Sequence, residues 1–316
     1  MHNRRLYHRH GSAKGNGAEK PWEPIGNRSK RHFVCKTRHK VLAFANKMDN
    51  PLNHTGHSLA AFVDGLQARG RYTFTRAEAA TAGSFSGVAL EAALRRLRQK
   101  GRIACPRQGF YVLVPLEYRV AQCPPASWFI AEMMGFLNQP YYVGLLSAAA
   151  IHGAAHQQPM AFQVVTDRAT RPAKAGRVRI SFHKSRSVRE MPVVEAQTET
   201  GAMRVSTPEV TALDIVRFSE AAGRLNNVAT VLAELVERIN PAALAAIAPF
   251  YAVPDVQRLG YLLELVSAAR LADPLAKWLA TRRFRPVPLV PAKNVARMPA
   301  DSRWRIIPNE LPEIDL

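Results

Sequence analysis

Two short capped helices followed by a basic hairpin, all within residues 75–114, constrain this chain more than any other stretch. Thr75 and Glu78 form a T-x-x-E capping box that starts a helix. That helix is expected to stop near Gly83, and Ser84 or Ser86 can cap the next one. Leu90, Leu94 and Leu97 recur at helical spacing, so one face of the second helix is expected to be buried. Its other faces carry Arg95, Arg96, Arg98 and Lys100. Residues 102–105 and 109–114 then read as two strands around the turn Pro106-Arg107-Gln108-Gly109. Helix, turn, helix and basic hairpin, in that order, is the layout of a winged helix-turn-helix DNA-binding domain.

Charge agrees with this reading. From 86 to 107 there are six Lys/Arg against one acid, Glu91. A cation set against a phosphate releases a condensed counterion, which drives sequence-independent binding to duplex DNA. Charge runs are usually solvated helix faces, but here the run coincides with a capped helix and a basic hairpin. The residues expected at DNA are Arg76, Ser86, Gly87, Arg95, Arg96, Arg98, Lys100 and Arg107. Ser86 and Gly87 belong to this set because small residues at the helix start allow close approach to a groove floor.

The chain has 44 Lys+Arg and 24 Asp+Glu, a formal charge of +20. The first 47 residues hold twelve Lys/Arg and two acids, so the remainder is still at 32 minus 22, or +10. An anionic partner is therefore implied beyond the tail. Residues 1–47 have no apolar periodicity, and 1–50 are expected to be a disordered basic tail or an extension upstream of a true start at Met48, in preference to a nucleic-acid-binding arm. No apolar run has signal-peptide or membrane-span length, so a cytoplasmic protein with no membrane partner is expected. Cys35, Cys105 and Cys123 are odd in number and widely spaced, as ordinary reduced thiols are.

Pro115 and Cys123-Pro124-Pro125 punctuate the chain, placing a boundary at 116–124 between a winged segment, 52–118, and a second domain, 125–307, with a tail at 308–316. In the second domain, helices are expected over 128–137 and 141–151, the latter ending at Gly153. Strands are expected at 162–166, 178–182, 191–195 and 203–206. Thr207, Pro208 and Glu209 mark a helix start, and further helices follow at 227–239, 241–249, 254–269 and 272–281. The expected fold class is α+β: an N-terminal winged helix-turn-helix, then a larger α+β domain with a small sheet and a helical C-terminal half. Eight Lys/Arg and no acids lie between 168 and 189. Arg168, Arg171, Lys174 and Arg179 are candidates for a second anion-facing surface, against nucleic acid or an acidic partner protein, with a solvated sheet face as the alternative.

The run from Tyr141 to Pro159, the segment Phe162 to Arg168, and the segment Met203 to Asp214 resemble the AbiEi-family antitoxins. The resemblance spans about 58–307 and includes the winged segment. It implies an antitoxin of a type IV toxin–antitoxin, or abortive infection, system. The implied toxin partner is nucleotidyltransferase-like, and a stable complex with it is not required. The resemblance also implies autoregulation, with the N-terminal domain repressing its own operon at operator inverted repeats and the second domain countering the toxin. On that reading Arg168, Arg171, Lys174 and Arg179 form the antitoxin surface.

Enzyme readings find little support. The chain has no Asp-x-Asp for Mg²⁺, no Walker A loop and no G-x-G-x-x-G. His152 and His156 are four apart, but Gly153 stands where the metalloprotease general base belongs. Ser147 and His152 lack a glycine elbow and a placed acid. Trp128, Tyr141, Tyr142, Tyr261 and Trp278 sit in apolar helical contexts and read as core. No catalytic residue, metal or cofactor is expected. The competing function is a winged-helix regulator without a toxin partner, or one whose second domain has an enzymatic activity.

Overall fold

The computed structural model describes residues 58–83, 85–154, 159–295 and 298–313. The basic tail over 1–50, Ser84 and His156 lie outside the described residues.

The first segment opens with α1 (Leu59–Ala68), capped by the Ser58 hydroxyl, which accepts from the Ala61 amide at 3.3 Å. Strand β1 (Thr73–Thr75) leads into α2 (Arg76–Gly83), then α3 (Gly87–Gln99), β2 (Ile103–Arg107) and β3 (Phe110–Leu113). The three strands form an antiparallel sheet in the order β1-β3-β2, so β2 is an edge. The ladder slips between Ala104 and Arg107. Pro106 sits in that irregularity on an edge strand, where its missing N–H leaves no central ladder bond unmade. Gly109 turns the hairpin at φ +82°, a conformation that favours glycine.

A 3₁₀ turn at Ala126–Trp128 starts the second segment, followed by α4 (Ile130–Phe136). Then come β4 (Tyr141–Val143), α5 (Leu145–Ile151), β5 (Phe162–Thr166), β6 (Ala173–Ala175), β7 (Val178–Lys184), β8 (Val193–Thr198) and β9 (Gly201–Ser206). They build a mixed six-stranded sheet ordered β6-β7-β5-β4-β9-β8. Helices α6 (Pro208–Arg217), α7 (Arg224–Leu235), α8 (Pro241–Ile247), α9 (Val253–Leu265) and α10 (Ala269–Ala280) follow. Short strands β10 (Val287–Pro288) and β11 (Ile306–Ile307) pair in parallel at the end. The class is α+β, as the sequence implies. Gly260 on α9 is set by packing, since a Cβ there would come within 2.0 Å of the buried Trp304 ring.

The expected helix over 141–151 is corrected by the structure. Tyr141–Val143 is strand β4, paired with both β5 and β9, and only Leu145–Ile151 is helical. Two aromatics and a valine suit a pleated surface, and Gly144 is extended at φ −132° where the strand gives way to the helix. Strands β1 and β6, three residues each, were too short to leave a periodic signature in the sequence.

Three apolar cores result. The first gathers Leu59, Val63, Leu66, Phe74, Leu90, Leu94, Leu97, Tyr111 and Leu113. The second gathers Phe110, Val112 and Val114 with Trp128, Phe129, Met133, Tyr141, Val143, Ala173, Ala175 and Ile180. The third lies between the large sheet and α5 to α10. Successive side chains of a strand point to opposite faces. Strand β3 thus sends Tyr111 and Leu113 into the first core and Phe110 and Val112 into the second, and all four of its residues are buried.

Candidate nucleic-acid interface

The capping box is formed as the spacing implies. The Glu78 amide donates to Thr75 Oγ1 at 3.2 Å, and the Thr75 amide donates to Glu78 Oε2 at 2.7 Å. Arg71 also donates to Glu78. Burial alone would push the Glu78 carboxyl up, but the Arg71 and Thr75 donors hold it below the ordinary carboxylate range. Ser86 caps α3, accepting from the Ala89 amide at 3.3 Å. Leu90, Ala93, Leu94 and Leu97 are buried, which leaves Gly87, Val88, Glu91, Arg95, Arg96, Arg98 and Lys100 exposed. Arg96 and Arg98 lie in the last turn, where cations suit the helix dipole. Among the described residues, Arg95, Arg96, Arg98 and Lys100 make no salt bridge, whereas Arg76 pairs with Glu91 at 2.7 Å and Arg102 pairs with Asp64.

Arg107 is placed differently from its neighbours on α3. Its guanidinium crosses to the second segment and donates to the carbonyls of Arg171 and, at 3.5 Å, Pro172. It also sits 5.1 Å from the centroid of the Phe182 ring. Its Nε is buried without a partner among the described residues, and burial lowers its pKa. In this structure Arg107 joins the hairpin to the large sheet.

The second basic stretch lies beside the first. Lys174 on β6 and Arg179 on β7 stand directly opposite each other in the antiparallel ladder, and both are exposed. Ala173, Ala175 and Ile180 point the other way, into the second core. Like charges directly opposite one another destabilise a sheet, so the pair is a local cost that an anion would relieve. Lys174 and Gly176 share a cleft of about 500 Å³ with Arg95, Arg98, Cys105 and Gln122. Far apart in sequence, α3 and the segment around Lys174 adjoin in the fold. Arg168 pairs with Asp167 at 3.2 Å, and Arg171 has an exposed side chain.

The residues considered for catalysis have structural partners. His152 caps the end of α5 and its Nε2 donates to the Ser206 carbonyl at 2.7 Å. Ser147 Oγ accepts from the Gln163 amide at 2.9 Å and is buried. No cluster of His, Cys, Asp or Glu among the described residues is arranged to hold a metal ion. Cys105 and Cys123 are free thiols, and burial pushes the latter up to about 12.

One group escapes any reading by spacing. Asp214 on α6 is fully buried, and the hydroxyls of Tyr142 and Tyr251 donate to its two oxygens at 2.9 Å each. Burial pushes its carboxyl up to about 6, against the two phenols and nearby Arg217, which lower it. These partners are 72 and 37 residues away in sequence; only the fold brings them together.

Residues 142–265 match the family model described as the AbiEi antitoxin C-terminal domain. No curated protein matches the chain significantly. Among solved structures, the chain is similar to the RV2827C protein from Mycobacterium tuberculosis. The TM-score is 0.55 at 17% identity, over 79% of this chain and 91% of that one, a likeness of fold alone. Among the described residues no helix is long and apolar enough to cross a membrane.

Proposed function

We propose that the chain, whose residues 142–265 match the AbiEi antitoxin C-terminal domain, is a type IV antitoxin that counters a nucleotidyltransferase-like toxin and represses its own operon by binding duplex DNA. The observation that carries the DNA half of this reading is the exposed set Arg95, Arg96, Arg98 and Lys100, without an ion pair among the described residues, at a capped helix beside a hairpin and a three-stranded sheet. Those elements occur in the order and pairing of a winged helix-turn-helix. Lys174 and Arg179 extend the basic track past α3, so their adjacency to Arg95 and Arg98 favours phosphate over a toxin surface for that pair. The antitoxin half rests on the family segment.

The test separates the two halves. Arg95, Arg96 and Arg98 are replaced together by Ala. DNA from upstream of the gene is titrated at several salt concentrations, and growth is followed on induction of the neighbouring toxin gene. The triple variant should lose most of its DNA affinity and up to three units of salt slope, while still rescuing growth. Unchanged affinity would refute the DNA interface. Failure of the wild-type chain to rescue growth would refute the antitoxin assignment.

A further inference from the structure

Val88 occupies the second position of α3 and is 83% exposed. A β-branched side chain there adds nothing to the buried face and has lower helix propensity than alanine. Counting three, four and seven residues on gives Glu91, Ala92 and Arg95, so these four side chains share one helix face. That face lines a concavity of about 650 Å³ that also includes Arg76, Gly87, Arg98 and Tyr111. Glu91 is matched by Arg76 at 2.7 Å, so its charge is locally neutralised. What remains presented is an apolar tip flanked by arginines that have no ion pair among the described residues, complementary in charge to duplex DNA.

We propose that Val88 reads a thymine 5-methyl group in the major groove of duplex DNA, with Arg95 engaging the same duplex two turns further along the face. The inference rests on the DNA-binding reading above. The chemistry follows from what base edges offer. Every base edge presents hydrogen-bonding groups in the major groove, but thymine alone adds a methyl group beside its O4 acceptor, and an apolar side chain matches that methyl. Specificity at that base pair is then set by a residue that carries no charge and makes no hydrogen bond.

Deoxyuridine in place of thymine removes that methyl alone, leaving base pairing and phosphate charge as they were. The full-length protein first selects a duplex from a random pool. Each thymine of the selected site is then replaced singly by deoxyuridine. Dissociation constants are measured by fluorescence anisotropy at fixed salt for wild type, V88A and V88I. Wild type should weaken about fourfold at one or two positions, the effect of one methyl-sized group kept out of water. V88A should bind thymine and deoxyuridine duplexes equally there, and V88I should restore the discrimination. Because Val88 is exposed and alanine favours helix, V88A should keep the wild-type melting temperature. Full discrimination retained by V88A, or none at any thymine in wild type, overturns the role of Val88 while DNA binding stands. Absence of any salt-dependent binding to duplex DNA overturns the underlying reading, and this inference with it.

Discussion

Burying a carboxyl group between two phenols, as the fold does at Asp214, makes stability depend on pH. The folded carboxyl titrates at about 6, above its ordinary value of 3.8. The fold therefore prefers the protonated acid. Its contribution, on the order of 3 kcal/mol, is complete below about pH 4 and is lost as pH rises through about 6. D214N cannot titrate, and its amide nitrogen cannot accept from one of the two tyrosines. It should be less stable than wild type at pH 4.5, and the gap should narrow toward pH 7.5. Urea denaturation of both proteins across that range measures the gap; parallel profiles would show that Asp214 does not titrate as described. Gly260 gives a second residue-scale expectation. Gly260→Ala drives a methyl into the buried Trp304 ring, and overpacking of this kind costs about 1–3 kcal/mol. Its denaturation midpoint should fall without a change in slope, since the core is strained but the exposed area on unfolding is the same.

Among the elements, the basic hairpin and strands β6 and β7 divide two jobs that their charges alone do not reveal. Arg107 reads in sequence as one more cation near DNA, but its guanidinium is engaged by the Arg171 and Pro172 carbonyls and the Phe182 ring. R107A should lower stability by about 1–2 kcal/mol and leave the slope of log affinity against log salt unchanged. R95A should leave stability unchanged and lower that slope by about one. A salt slope that fell equally in both variants would return Arg107 to the DNA interface. Lys174 carries the opposite signature. K174E turns the like-charge pair with Arg179 into an attractive one, so the melting temperature should rise slightly while DNA affinity falls. The helices were legible because capping boxes and leucine spacing are local signals: Thr75 with Glu78, Ser86, and Leu90 with Leu94 and Leu97 stand where the spacing puts them. Strand β4 was not, because Tyr-Tyr-Val beside an alanine-rich helix has no period of its own. Its state is decided by pairing with β5 and β9, which lie far along the chain. The adjacency of Arg95, Arg98 and Lys174 was illegible for the same reason.

For the molecule as a whole, strand β3 decides how independently the parts behave. Its Tyr111 and Leu113 complete the core under α1 and α3, while Phe110 and Val112 complete the core of the large sheet with Trp128 and Met133. The apolar surface of the second core runs across the Pro-rich stretch at 115–125. Cutting at residue 118 would expose Phe110, Val112, Val114 and the partly buried Tyr72 on one side, and the covering of Trp128 and Met133 would be lost on the other. At about 25 cal/mol per Å², uncovering several such side chains costs several kcal/mol, comparable to the whole stability of a small domain. Scanning calorimetry of the 53–316 chain should therefore show one cooperative transition, with calorimetric and van't Hoff enthalpies in agreement. The 52–118 fragment should melt well below that transition. It should bind DNA only after Phe110 and Val112, whose cover is gone, are replaced by polar strand formers such as Thr. Two resolved transitions in the intact chain, with the lower one matched by the fragment, would show instead that the shared strand does not couple the segments.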